Sequence, residues 1–157
     1  MLNSWLHLLA LTVYLGSLGG LWILILSPLP MIRNQDEQIE FLARSLKVYN
    51  PLLIGALGLL VLTGAFQVTD LKASYRELFT RELGLTLSLK LILSFVIIIL
   101  STYQSMGVAL RFVRRWESED SIQFKEIQSV AHRLRGSTII LVFLTLITAL
   151  VSIRILG

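Results

Sequence analysis

The sequence predicts an all-α integral membrane protein, a four-helix bundle with short amphipathic helices on the cytoplasmic side. Of its 157 residues, 55% are hydrophobic and only 15% are charged, which is too apolar for an ordinary soluble domain. Because a helix needs about 20 mainly apolar residues to cross a bilayer, we expect a single transmembrane domain, 1–157, whose spans are residues 5–29, 51–68, 85–106 and 137–155. In lipid such segments must be helical to satisfy their backbone groups.

The first span is expected to stay in the protein, because Met1 to Trp5 contains no basic segment and no signal-peptide cleavage site. In the loop that follows, Asn34 is a suitable N-cap and apolar residues recur at helical spacing. This pattern predicts a short amphipathic helix on the inner membrane surface. We expect Asn50-Pro51 to end it and to begin the second span.

The second loop, 70–82, is short and mixed in charge, and we expect it to be partly helical. The third span should continue past the bilayer through Arg111 and Trp116 to a turn near residues 117–120. A second amphipathic stretch follows the turn. Its apolar face consists of Phe124, Ile127, Val130, Ala131 and Leu134, and its polar face of Ser121, Lys125, Gln128 and His132.

Small and hydroxylated residues indicate how the spans pack. Small residues allow membrane helices to approach closely, and those expected to do so are Gly16, Gly20, Gly55 and Gly58. A polar seam on the fourth span is expected to form interhelical hydrogen bonds; it consists of Thr138, Thr145, Thr148 and Ser152.

The distribution of basic residues predicts the orientation. Loops one and three carry nine Lys and Arg residues, namely Arg33, Arg44, Lys47, Arg111, Arg114, Arg115, Lys125, Arg133 and Arg135. The opposite side carries four, namely Lys72, Arg76, Arg81 and Arg154. The positive-inside rule then places both termini outside, which in a bacterial inner membrane is the periplasm. A net charge of +4 of this kind indicates lipid headgroup contacts and not nucleic-acid binding.

Lys90 is the charged residue that lies inside a span, between Leu85 and Tyr103. A charge at that depth costs roughly 2.5–3.5 kcal/mol, so it marks a functional-site candidate. At 100° per residue Lys90 shares one face of its helix with other polar residues, Thr86, Ser94, Ser101 and Gln104. Lipid cannot satisfy such a stripe, so it should face the interior of the bundle.

His7 is the second candidate. Lys90 lies about 9 Å below the outer end of its helix, at about 1.5 Å per residue. His7 enters the first span from the same side and should lie at a similar depth. Tyr14, Asn3 and Ser4 share the face of His7. We therefore expect two helices to point polar groups at one another in the outer half of the bilayer.

This pairing suits a haem b held without a covalent bond. Imidazole is the commonest protein ligand of haem iron, and a lysine ammonium can pair with a propionate. The predicted cofactor-binding residues are His7, as iron ligand, with Lys90, Tyr14, Thr86 and Ser94. His132 is expected to be a solvated surface residue instead.

Plainer interpretations of these residues remain open. Lys90 could extend towards the headgroups or pair with Asp70, Glu77 or Glu82, and His7 could bond a neighbouring helix. The chain has no cysteine, which excludes disulfides, iron–sulfur clusters and thiolate metal sites. Its three methionines are scattered, which gives copper transport little support.

Short motifs in the first three spans resemble those of the CopD-like membrane proteins. They are His7 followed by Tyr14 and Gly16, then Leu62-Thr63-Gly64, then Leu89-Lys90-Leu91. The same His and Lys positions also resemble the HemJ family of membrane protoporphyrinogen oxidases, in which they imply a haem ligand and a second site residue. Tyr14 stands where that pattern usually has Trp, and Ser27-Pro28-Leu29-Pro30 replaces the Arg-rich end of the HemJ first helix.

The expected function is therefore haem b or porphyrin binding for electron transfer or porphyrin redox chemistry, with quinone or a porphyrin as partner. An oxidoreductase of the protoporphyrinogen oxidase type is the enzyme that the resemblance implies. One alternative is a non-catalytic accessory subunit of a respiratory or photosynthetic complex, and another is a CopD-type copper-resistance component. Membrane lipid, other membrane subunits and further copies of the chain are the expected surroundings.

Overall fold

A computed structural model describes residues 2–70 and 82–156, and this part of the chain is helical throughout, apart from short connections. Four of its helices are long and apolar enough to cross a membrane, in agreement with the predicted spans. The helices in chain order are α1 (Leu2–Gly20, continued by a π-helix at Leu21–Leu26 and a 3-10 turn at Leu29–Met31), α2 (Gln35–Asp70), α3 (Glu82–Thr102, continued by a π-helix at Tyr103–Leu110), the short α4 (Arg111–Glu117) and α5 (Phe124–Leu156). The four long ones are α1, α2, α3 and α5. The predicted partly helical loop at 71–81 lies outside the described residues.

Helix α2 corrects the predicted boundary at Asn50-Pro51. Asn34 does cap the helix, since its Oδ1 accepts a hydrogen bond from the Asp36 amide at 3.1 Å. The helix then runs on through Pro51 without a break. A proline inside a helix costs about 3 kcal/mol, which here is offset by packing, because Leu46 and Leu53 are buried on either side of it. The expected surface helix and the second span are therefore one helix.

The helices of the third and fourth spans extend beyond the apolar segments 85–106 and 137–155. The third continues without a gap into α4, as expected, and the turn after it contains Glu119 in the left-handed region at φ 57°. The predicted second amphipathic stretch is confirmed as a pattern but is not a separate helix, because it forms the first turns of α5. Ile127 and Leu134 are buried there, whereas His132 is exposed.

The helices pack most closely in the half that contains residues 32–50 and 111–135. Helix α1 packs along α2, and α3 packs along α5. Fully buried leucines from three helices meet in one core, namely Leu18, Leu26, Leu42, Leu134 and Leu141. Polar ties surround this core: Arg135 Nη2 donates to the Leu26 carbonyl at 2.6 Å, and Lys47 pairs with Glu117 at 2.6 Å. The open space in the protein therefore lies towards the other half.

The glycines approach other helices less often than expected. A Cβ added at Gly20 would lie 3.2 Å from the Tyr49 ring, so this position needs a small residue. Added at Gly16, Gly55 or Gly58, it would meet nothing within 4 Å. Those three glycines are exposed, and the prediction of close contact within the chain is wrong for them.

Candidate functional site

A cavity of about 630 Å³ lies between the four long helices. Its volume falls in the range of about 300–1,000 Å³ that is usual for small-molecule and cofactor sites. Four of the predicted site residues line it, namely His7, Tyr14, Lys90 and Ser94. Thr86 is partly buried one helical turn before Lys90 and is not among the lining residues.

His7 is held in place by α2. Its Nδ1 lies 2.8 Å from the Thr63 hydroxyl, and that hydroxyl donates its own proton to the Leu59 carbonyl at 2.7 Å. With the hydroxyl proton on this carbonyl, the hydroxyl accepts from the imidazole, and we assign the His7 proton to Nδ1 on this basis. A neutral ring in this tautomer keeps the lone pair on Nε2, the nitrogen that is available to a ligand.

Gly64 forms the wall against which the imidazole lies. A Cβ at this position would be 3.8 Å from the His7 Cε1 atom, which is ordinary contact, and the residue also lines the cavity. Alanine would fit there, whereas a large side chain would compete with the ring for space. The Thr63-Gly64 pair thus orients His7 by one hydrogen bond and one close surface.

In the sequence, Thr63-Gly64 stands out only as part of a family resemblance. Its contact with His7 was not predicted. A signal for it was present in the antiparallel pairing of α1 and α2. The contact between Gly20 and Tyr49 sets the register of the two helices, and the same register, followed along both, brings His7 opposite Thr63.

Lys90 lines the opposite side of the cavity on α3 and is partly buried. Lys90 and His7 thus line the same cavity from different helices. The Ser94 hydroxyl donates to the Lys90 carbonyl at 2.8 Å, so it presents an acceptor to the cavity. None of the described lining residues is acidic. The suggested acidic partners, Asp70, Glu77 and Glu82, have side chains outside those that the structure describes.

The inner end of the polar stripe lies beyond the cavity and joins helices to one another. Tyr14 is buried, and its hydroxyl forms a hydrogen bond with Ser101. Further in, the Gln104 amide donates to the Thr138 hydroxyl at 3.0 Å. The stripe therefore faces the interior as predicted, but Ser101 and Gln104 join helices together and do not line the cavity.

The predicted polar seam on the fourth span has a different role. Among the seam residues, all of which lie in the described part of the chain, only Thr138 forms a hydrogen bond with another helix. Thr145, Thr148 and Ser152 each donate to the carbonyl four residues earlier in α5, and all three line the cavity. A helical Ser or Thr always has such a carbonyl within reach, so helical spacing alone does not predict an interhelical bond.

Within residues 2–70 and 82–156, no three His, Cys, Asp or Glu side chains come together as a metal-binding group. A site for a bare metal ion usually takes three or four protein ligands. A porphyrin, by contrast, supplies four nitrogens itself, and one imidazole can complete its attachment to the protein. Among the described lining residues, His7 is the one that could serve as such a ligand.

The chain matches none of the family models, curated proteins or solved structures with which it was compared.

Proposed function

We propose that the protein is an integral membrane four-helix bundle that binds haem b or a related porphyrin and acts in electron transfer or porphyrin redox chemistry. One observation carries the proposal: His7, oriented by Thr63, and Lys90 line the same largely apolar cavity. This places a candidate iron ligand and a candidate partner for a carboxylate around a space of suitable size.

The outward surface supports a location in a membrane. Large apolar side chains face outward on every long helix, and the most exposed include Trp5, Leu9, Phe66, Phe95 and Phe143. Such a surface is costly in water and favourable in lipid. Together with the charge distribution of the loops, it supports a multi-pass protein of the bacterial inner membrane with both termini in the periplasm.

Different residues of the cavity would bind different parts of a porphyrin. His7 Nε2 is the candidate axial ligand, and the Thr63 hydrogen bond fixes its tautomer and orientation, as partners of metal-bound histidines generally do. Lys90 is placed to pair with a propionate, and a charge-assisted bond of this kind is strong where water is scarce. Apolar side chains such as Leu11, Leu60 and Ile98 provide the walls for the ring. Haem iron, when bound, supplies one-electron chemistry.

A second candidate function is that of a non-catalytic subunit in a larger membrane complex. The exposed glycines of α2, Gly55 and Gly58, favour it, because small residues on a lipid-facing surface allow another helix to approach closely. Migration of the purified protein with other subunits on a native gel would support that role. The third candidate is a copper-resistance component. No group of metal ligands among the described side chains supports it.

The absorption spectrum tests the proposed function. Wild-type protein titrated with haem in detergent should develop a Soret band with saturable, one-to-one binding. His7→Ala should lose this band, whereas His132→Ala should keep it, because His132 is exposed and far from the cavity. Wild-type protein without affinity for any porphyrin, or equal binding by His7→Ala, would sink the haem proposal.

A further inference from the structure

The rim of the cavity is formed by two of its four helices. Lining residues with exposed side chains lie on α2 and α3, and the most exposed apolar ones are Val61 (42%), Leu91 (46%) and Phe95 (64%). Every lining residue on α1 and α5 is buried or only partly exposed, including His7 and Thr145. The cavity therefore opens along the line between α2 and α3.

The packing of the helices leaves room for the cavity. Helices α1 and α2 touch along their length, as do α3 and α5, whereas direct contacts between the two pairs are few, both between α2 and α3 and between α1 and α5. Two well-packed pairs thus stand side by side with the cavity between them, and its exposed lining residues lie on the side of α2 and α3. The described residues of α2 and α3 leave this side open to the surroundings of the protein.

The depth of the rim shows what those surroundings are. Val61 lies nine residues before the end of α2 at Asp70, and Phe95 lies thirteen residues after the start of α3 at Glu82. At about 1.5 Å per residue these positions are about 14 Å and about 20 Å from the helix ends. In a bilayer with a hydrocarbon core about 30 Å thick, this part of the opening faces lipid chains and not water.

The chemistry of the cavity limits what would enter. Its rim and walls are mostly apolar, with hydroxyl groups such as those of Ser94 and Thr148, while Lys90 is the one cationic group and no acidic group occurs among its described lining residues. This combination is complementary to a molecule with an apolar body and an anionic group. A porphyrin with two carboxylates has this chemistry, and such molecules partition into lipid.

We propose that the cavity takes its ligand, a membrane-dissolved porphyrin carboxylate, sideways from the bilayer through the opening between α2 and α3. The inference rests on the proposed porphyrin function for the identity of the ligand. The route itself depends only on the position of the rim. Val61, Leu91 and Phe95 form the sides of this lateral opening, and Lys90 receives the anionic group inside it.

Matched tryptophan variants test the route. Val61→Trp adds bulk at the rim, whereas Leu62→Trp adds bulk at the neighbouring position, which is exposed but does not line the cavity. When proteoliposomes are mixed with haem-loaded vesicles, Val61→Trp should acquire the Soret band about tenfold more slowly than wild type, an effect of about 1.4 kcal/mol on a rate constant. Leu62→Trp should match wild type. Equal rates for all three proteins would overturn the lateral route.

A second measurement does not require haem and so separates the two proposals. The chain has no cysteine, so a nitroxide attached to Ser94→Cys reports on the cavity alone. In liposomes, collisions with oxygen, which concentrates in lipid, should be frequent, and collisions with a water-soluble nickel chelate should be rare. Frequent nickel collisions, or few collisions with either reagent, would overturn the lateral opening. If oxygen collides frequently with the nitroxide but the unlabelled wild-type protein binds no haem, the proposed function is contradicted and the lateral opening still stands.

Discussion

The His7 imidazole and the Thr63 hydroxyl, separated by 56 residues in sequence, lie 2.8 Å apart at the side of a cavity between the four long helices. This bond joins α1 to α2 and holds the one histidine among the described residues that line the cavity. With the Thr63 hydroxyl proton on the Leu59 carbonyl of its own helix, the imidazole is assigned as the donor. This assignment leaves Nε2 as the ring nitrogen that is free for a ligand.

Thr63→Val should weaken haem binding while leaving the fold intact, because valine has the shape of threonine but accepts no hydrogen bond. Loss of such an orienting partner typically costs about 10- to 100-fold in affinity. Haem titrations would measure the change, with Thr12→Val as the matched control, since Thr12 also donates to its own helix but is exposed on α1. Unchanged haem affinity in Thr63→Val would refute the orienting role.

Lys90→Met should selectively weaken the binding of porphyrins that carry free carboxylates. A hydrogen bond to a charged group contributes about 1.5–3 kcal/mol, which is roughly 10- to 100-fold in affinity. The dimethyl ester of the same porphyrin should bind both proteins alike, and Lys90→Arg should retain most of the preference for the free acid. An equal loss of affinity for acid and ester would show that Lys90 has a general packing role.

The Gln104–Thr138 bond predicts a pattern in stability. Gln104 is 2% exposed, and its Oε1 atom accepts no hydrogen bond from the residues that the structure describes. Thr138→Val removes the remaining bond of the amide and should lower the free energy of unfolding by about 1–3 kcal/mol. Adding Gln104→Leu should recover much of that loss, because it removes the buried polar group. A double-mutant cycle in detergent would measure this, and strictly additive losses would contradict it.

Arg135→Ala should destabilise the tightly packed half of the protein. The Arg135 guanidinium bonds the Leu26 carbonyl at 2.6 Å, near the negative end of the first helix, so its loss should cost about 1.5–3 kcal/mol. Arg133→Ala serves as the control, because Arg133 is exposed two residues earlier on α5. Equal stability of the two variants in thermal unfolding would show that the Arg135 bond contributes little.

The absence of cysteine gives a clean test of orientation. Ser121→Cys lies in the exposed segment before α5, and Ser4→Cys is exposed near the start of α1. In intact cells a membrane-impermeant thiol reagent should label Ser4→Cys, and it should label Ser121→Cys only after the cells are opened. The reverse pattern would invert the predicted topology.

The sequence predicted the number and approximate extent of the long helices, because bilayer thickness imposes a length that composition reveals. It failed at Pro51, since the prediction weighed the local cost of a proline without the packing of Leu46 and Leu53 on either side. Similarly, it placed Gly55 at a contact and Thr145 in a seam between helices. Helical periodicity gives the face of each residue but not the neighbour that the face will meet.

The candidate site was predictable in part for the same reason. Lys90 and His7 stand out because ionisable residues are costly in lipid, and their positions from the helix ends were enough to place them near each other. Thr63 and Gly64 lie in a helix whose apolar composition does not mark them as special. Only the pairing of α1 with α2 shows that they contact His7. The opening between α2 and α3 depends on what the helices leave unpacked, which no local pattern records.

The central claim, that His7 Nε2 is the ligand of a haem iron, is tested most directly by removing the imidazole and returning it from solution. His7→Gly should show no wild-type Soret spectrum with haem, and free imidazole should restore that spectrum by entering the space left beside Gly64. A His7→Gly protein that binds haem with the wild-type spectrum in the absence of imidazole would contradict the account.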